Sequence, residues 1–449
     1  MSVDTFMLAR YSEKAVAAMS LVNQFAFFIQ LIYMMVSIGA SIMISQNLGA
    51  GKRATAGLVG VGGLVLIAGL SIILSTLVAL FATPLIALYK LDPEVALYAR
   101  QFLTIYGGFS FFMAFNIGQS SIVRSWGHSY DPMWVNVISL VLTVCGNALC
   151  LFGFFGFPIL GVAGVAGSTV FSQVVVCGIY YFLIKRRKDI ELPLHKMAHI
   201  PRSVYKAVMN VGIPTVGENL SYNLSQIAIM TMITQMGTDT MTTFGILITV
   251  LRYVFMPGVS IGSGTQIKVG YLVGAGMHDE ATRRVYKYFT VGFLISLVFI
   301  VLVVIMHQSI LGIFSPKPNI FVLATSVLLV AVIHEPGRNF NTIFIPALKG
   351  AGDVHFPVYV GIATMWGISV LGAWLLGVKL GLGIVGVWIA MTLDEWLRGI
   401  IMLLRWRSGA WKSKCLVQLT DAITVSSLVL FVITCNISLY ALSGPTTNG

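Results

Sequence analysis

Long apolar runs, broken by short polar or charged stretches, fill almost the whole chain. They lie at about 15–47, 55–89, 94–123, 132–155, 159–184, 204–236, 239–271, 285–314, 320–347, 355–378, 382–404 and 420–442. Runs of about 20 residues or more are long enough to cross roughly 30 Å of hydrocarbon as helices. The pattern predicts an all-α, polytopic membrane protein with twelve such segments and a short stub before the first.

The breaks between segments repeat. Gly49-Ala50-Gly51 ends one segment, and Gly274-Ala275-Gly276 ends another 225 residues later. Arg124, Gly127 and Pro132 return as Lys349, Gly352 and Pro357 at the same offset. Leu160-Gly161 with Gly164-Val165 returns as Leu382-Gly383 with Gly386-Val387, now 222 residues on. Three landmarks in one order predict two pseudo-symmetric lobes of six helices. An even number of crossings relates such halves by an axis along the membrane normal, and a functional cavity is expected between them. Residues 1–184 would form the first lobe, 185–203 a charged linker with Pro193 and Pro201, and 204–411 the second lobe. Residues 412–449 would form a tail with one additional hydrophobic segment. Subtracting the repeat offset from the start of the second lobe places the first lobe's beginning upstream of Met1. The expectation is a first helix that lacks about its first 20 residues.

Composition agrees with this class. The chain is 57% hydrophobic and 10% charged, with a mean hydropathy of +0.89, which excludes an ordinary soluble globule. The net charge of +12 raises the question of nucleic acid, but its placement answers it. With the Gly-Ala-Gly loops on the inside, Lys185, Arg186, Arg187, Lys188, Lys268, Arg283, Arg284, Lys287 and Lys349 fall inside. Lys90, Arg100, Lys317 and Lys379 fall outside. This is a positive-inside bias that sets orientation and implies no nucleic-acid partner. Five cysteines without metal spacing suggest neither a disulfide framework nor a zinc site. No secretory signal peptide is evident.

The chemistry available is sparse. Gly49-Ala50-Gly51-Lys52-Arg53 lacks the distal Gly and the hydroxyl residue of a phosphate loop, so uphill work would draw on an ion gradient. No nucleophile elbow or other catalytic constellation is present, and the protein is not expected to be an enzyme. Five acids fall at membrane depth: Asp4, Glu218, Glu335, Asp394 and Glu395. Such groups persist mostly for function. Glu335 with Arg338, and Asp394 with Arg398, have helical spacing for pairing. Structural neutralisation and a cavity role are equally open for them, and Glu395 is placed to share Arg398.

Glu218 has no cation within two turns and follows Gly212-Ile213-Pro214, which should bend the helix. It would alternate between proton-bound and cation-bound states. Asn219, Asn223 and Gln226 share a stripe beside it and suggest a wet cavity wall, with helix–helix hydrogen bonding as the alternative. In His334-Glu335-Pro336-Gly337-Arg338-Asn339-Phe340-Asn341, Pro336 and Gly337 should interrupt the helix and free carbonyls for a cavity, an ion or a neighbouring side chain. That places Asn341 among the cavity candidates. His195 and His199 have metal-like spacing but lie in the linker without further ligands.

Several of these segments resemble the multidrug and toxic compound extrusion (MATE) family. They are Val3-Asp4-Thr5-Phe6-Met7-Leu8-Ala9, Gln46-Asn47-Leu48-Gly49-Ala50-Gly51, Val269–Gly276, Leu348-Lys349-Gly350-Ala351-Gly352-Asp353 and Gly383-Ile384-Val385-Gly386-Val387-Trp388. The resemblance spans roughly residues 3–412. It implies two six-helix lobes that export small cationic or amphipathic organic compounds in exchange for Na⁺ or H⁺, with no other cofactor. It further implies that Asp4 is the first-lobe carboxylate and the place for any Na⁺. Asn147 and Thr143 stand at two family polar positions, Thr143 where Asn is usual. Glu218 lies on the helix that carries a second-lobe Glu in many members. A monomer in the lipid bilayer, multi-pass in a bacterial inner (plasma) membrane, is the expected form. The alternatives are a lipid-linked saccharide flippase of a related superfamily, which would need several unpaired groove arginines, and an integral-membrane enzyme.

Overall fold

The computed structural model describes residues 7–8, 10–89, 91–153, 156, 158–314 and 317–417. Asp4 and the segment expected at 420–442 lie outside the described residues. The described chain is helical. In order it forms α1 (Glu13–Gly49), α2 (Arg53–Ala87), α3 (Pro93–Phe102), α4 (Ser110–Ser125), α5 (Tyr130–Phe152) and α6 (Gly161–Arg186). Then follow α7 (Arg202–Gln235), α8 (Thr238–Gly274), α9 (His278–Ile305), α10 (His307–Phe314), α11 (Pro318–Ala351), α12 (His355–Thr364) and α13 (Gly383–Arg407). A π-helical turn, Leu103–Gly107, lies between α3 and α4, and two more, Met365–Val370 and Ala373–Lys379, prolong α12.

Eight of these stretches are long and apolar enough to cross a membrane by length and composition. The segment expected at 94–123 is divided at its π turn, α7 is weakened by its polar run around Glu218, and α13 carries Asp394, Glu395 and Arg398. Burial separates central helices from peripheral ones. In their most apolar windows, 61% of α1 and 50% of α11 is buried, against 22% of α2 and α5 and 17% of α9. Exposed Ile72, Leu80, Phe182 and Ile305 suit hydrocarbon rather than water.

The repeated landmarks are helix ends. Gly51 and Gly276 have φ of +75° and +72°, Gly127 and Gly352 of +94° and +98°, and Gly161 and Gly383 of +56° and +60°. These left-handed values favour glycine. Even the capping hydrogen bonds repeat: His128 N donates to Val123 O at 3.1 Å, and Asp353 N donates to Leu348 O at 3.0 Å. Each follows the pattern that closes the last turn of a helix with a glycine just beyond it.

The chain divides into two compact units. Among the described residues, the first contains those up to Ile44 and Lys52–Gly212, and the second contains Ser45–Gly51 and Ile213–Val417. The bounds differ from those read off the repeat, because residues 185–212 group with the first unit and the last turn of α1 with the second. In the first unit, Arg187 donates to Asp131 through Nε and Nη2 at 3.1 and 3.0 Å, and His128 Nε2 lies 2.6 Å from Asp189 Oδ2. The hydrogen bond from His128 holds the Asp189 carboxyl below the usual range. These bonds fasten the linker to the α4–α5 turn. The core of this unit includes Leu8, Val22, Phe102 and Val165.

In the second unit, one core gathers Val254, Ile300, Leu328 and Trp388, and another gathers Val269, Phe344, Trp406 and Trp411. Gln46, fully buried, ties the end of α1 into this unit: its Nε2 donates to Gly350 O at 2.8 Å, and its Oε1 accepts from Leu416 N at 2.7 Å. Beside it the ends of α1 and α8 touch backbone to backbone. A Cβ on Gly49 would stand 1.9 Å from Tyr271 O, and one on Gly274 would stand 1.9 Å from Gln46 O. The two contacts are repeat equivalents, since Gln46 and Tyr271, like Gly49 and Gly274, are 225 residues apart.

Gly274→Ala should therefore lower stability by at least about 1–3 kcal/mol, because the obstructing atom is backbone and cannot step aside. Gly69→Ala in α2, where no atom lies within 4 Å of the added carbon, should leave stability unchanged or raise it. Thermal unfolding of both variants in detergent micelles checks the contrast.

Candidate functional site

Charges that share an apolar interior must find each other, since an unpaired buried ion costs several kcal/mol. Glu218, on α7, is 7% exposed, and its partner is Lys349 in the last turn of α11, also 7% exposed. Lys349 Nζ donates to Glu218 Oε2 at 2.5 Å. Gly361 on α12 makes room, since a Cβ there would come within 3.3 Å of Glu218 Oε1. Glu218, with no cation within two turns along its own helix, is thus paired from 131 residues away. Lys349 lies just past the apolar segment read at 320–347, yet still within α11, which continues through Ala351 before it ends.

A second cluster joins α11 to α13. Along α11, Arg338 Nη1 donates to Glu335 Oε1 at 3.0 Å. Along α13, Arg398 Nη2 lies 3.2 Å from both Asp394 Oδ2 and Glu395 Oε1. These are the pairs that helical spacing anticipates. The cross-links between helices are new: Arg338 Nε lies 3.7 Å from Glu395 Oε1, and Asn341 Nδ2 donates to Glu395 Oε2 at 2.6 Å. His334 Nδ1 lies 3.2 Å from Thr392 Oγ1. Among the described residues, four buried atoms of the cluster, His334 Nε2, Asp394 Oδ1, Arg398 Nε and Asn341 Oδ1, have no hydrogen-bond partner. The interior set thus holds Glu218, Glu335, Asp394 and Glu395 against Lys349, Arg338 and Arg398, one carboxylate in excess.

The interruption expected at Pro336-Gly337 does not occur. α11 runs unbroken from Pro318 to Ala351. The neighbouring helix packs against this turn: Trp396 Nε1 donates to Ile333 O at 2.8 Å, next to the Val332 carbonyl that Pro336 cannot serve, and Gly337 clears space for the same indole, 2.6 Å from where its Cβ would stand. α7 likewise continues through Pro214. Asn219, Asn223 and Gln226 are half-buried. Asn223 Nδ2 donates to Asn219 O at 2.7 Å, a bond within α7 rather than between helices.

In the first unit, Asn147 is fully buried on α5 and accepts a hydrogen bond from Ser168 Oγ on α6. Thr143, one turn before it, bonds back to Ser139 O at 2.9 Å. The two lie on one helix face, and the carboxylate expected beside them, Asp4, lies outside the described residues. Among the described residues, no three His, Cys, Asp or Glu side chains form a metal-binding group.

The MatE family model matches residues 1–149 and 214–375, well over half the chain. The chain belongs to the MatE family. Similar to it is the transporter YisQ of Bacillus subtilis (strain 168), 36% identical over 415 residues, covering 92% of this chain and 91% of the relative. A probable multidrug resistance protein NorM of Thermotoga maritima is 25% identical, covering 92% and 88%. Among solved structures, a MATE transporter crystallised in a bent conformation superposes with a TM-score of 0.83 at 17% identity, over 94% of this chain and 92% of that one. A MOP superfamily transporter from Pyrococcus furiosus superposes at 0.82 and 19% identity, over 91% of each. MatE proteins are transporters rather than enzymes, and this chain is a multi-pass membrane protein with the fold of that family.

Lys349→Met would strand the Glu218 carboxylate, and stability should fall by about 3–5 kcal/mol. Adding Glu218→Gln removes the stranded charge and should restore more than half of that loss. A double-mutant cycle read by thermal unfolding measures the coupling, and additive losses would contradict a direct pair.

Proposed function

We propose that this MatE transporter is a secondary antiporter that exports cationic or amphipathic organic compounds in exchange for Na⁺ or H⁺. The observation that carries the reading is the buried Glu218–Lys349 pair, an intramembrane carboxylate whose counter-charge is a lysine from another helix. A carboxylate in such a place needs a positive partner at every moment. In this state Lys349 supplies it. When the coupling ion enters from outside and neutralises Glu218, Lys349 is released, and the packing of α7 on α11 changes. That change lowers the affinity for substrate and drives its discharge, so each ion admitted favours one export event. Relatives bearing the name multidrug resistance protein support the substrate class.

Asp4 is proposed as the first-unit carboxylate, with Asn147 and Thr143 supplying polar atoms to its ion. Glu335, Arg338, Asn341, Asp394 and Arg398 are proposed as the polar wall of the second unit, with Asn219, Asn223 and Gln226 along α7. The proposed setting is a bacterial inner (plasma) membrane, with the basic loops inside and the protein acting as a monomer. A flippase for lipid-linked saccharides fits less well. Arg338 and Arg398 are committed to carboxylates and are not free for a phosphate.

Proteoliposomes carrying the protein, loaded with ethidium and placed under separate Na⁺ and proton gradients, test the proposal. Dye movement should follow one of the two gradients and fall to background in Glu218→Gln, in Asp4→Asn, or in both. Transport undiminished in both variants would overturn it.

A further inference from the structure

A cavity of about 280 Å³ opens at the basic end of α9, lined by Arg283, Arg284 and Lys287. One carboxylate serves these cations. Glu280 accepts from Arg283 Nη2, and from Arg284 Nε at 2.7 Å. Lys287 forms no ion pair with the described residues, so the cavity keeps a net positive charge. The nearby Asp279 pairs instead with Lys412, at 3.5 Å.

The position along the helix says what chemistry fits. Lys287 stands nine residues after His278, the first residue of α9, or roughly 13 Å along the axis. The most apolar stretch of the helix follows it. From Lys287 one stripe at steps of three and four residues runs through Val291, Leu294, Val298, Leu302 and Ile305, each at least 42% exposed. Val291 to Ile305 spans roughly 21 Å, more than the ~15 Å of one leaflet's hydrocarbon. A cationic cavity capping an exposed apolar stripe of that length has the shape of a phospholipid: phosphate in the cavity, acyl chain along the stripe. A free phosphate would use the cavity and ignore the stripe.

We infer that the cavity of Arg283, Arg284 and Lys287 binds the headgroup phosphate of an anionic phospholipid in the adjoining leaflet. Basic pockets at the ends of membrane helices recognise such headgroups, and each cation near the surface contributes about fivefold in affinity. Glu280 competes with the lipid for the two arginines and sets the affinity of the site.

The test titrates purified full-length protein in detergent with fluorescently labelled phosphatidylglycerol and phosphatidylcholine. The native protein should prefer phosphatidylglycerol. Arg283→Gln/Lys287→Gln should weaken that binding by roughly 30-fold, while Lys185→Gln/Lys188→Gln, which removes equal charge from the linker, should leave it near the native value. Glu280→Gln should tighten it, and this variant decides the matter should the double variant fail to fold. Equal affinity for the two lipids, an equal loss in the linker variant, or no tightening in Glu280→Gln would overturn the inference. Full competition by inorganic phosphate would assign the cavity to a free anion instead and overturn it as well. None of these outcomes depends on which ion drives transport.

Discussion

Exclusion of water is the constraint on which this molecule rests. Among apolar helices no solvent waits to satisfy a stray charge or carbonyl, so each must be answered from within the chain. The second unit shows the rule at work in three ways. Glu218 is answered by Lys349 across two helices, Glu395 by two arginines and an asparagine, and the carbonyl of Ile333 by the indole of Trp396. Remove any one answer and the cost is that of a bare polar group in a dry interior, not that of a surface salt bridge.

The same constraint explains why the charges sit where they do. Burying an ion pair is rarely more favourable than burying well-packed hydrocarbon, so stability alone does not account for the seven charged groups of these two clusters. The pairs are of two kinds. Glu335–Arg338 and Asp394–Arg398 lie within single helices and survive any rigid-body movement of those helices. Glu218–Lys349 and Arg338–Glu395 bridge different helices, so they report on how those helices are arranged. Only the second kind can couple occupancy of a site to packing.

That division also marks how far the sequence could be read. The helices, the duplication and its glycine caps follow from segment length and fixed spacing, both local signals. So do the pairs three or four residues apart, because a helix brings such residues together whatever surrounds it. Lys349 was beyond reach. It falls just past an apolar segment of another helix, and nothing within reach of Glu218 in the sequence points 131 residues ahead. Pro336-Gly337 misled for a related reason. A proline removes one donor and a glycine weakens a turn, but a tryptophan on another helix donates to Ile333 O, next to the carbonyl that Pro336 leaves without its helical donor, and fills the space at Gly337. Tertiary packing decided each case.

The reciprocal contact of Gly49 with Tyr271 and Gly274 with Gln46 has a consequence for descent. The two copies of the repeat have diverged freely in their ionisable residues. Asp4 aligns with Ile229, which is fully buried in an apolar core. At this crossing, however, each copy's glycine accommodates the other copy's carbonyl. A side chain gained on either side is felt as a collision with the other. The halves of the gene, free to differ in their chemistry, are bound to a common fate at this pair of hydrogen atoms.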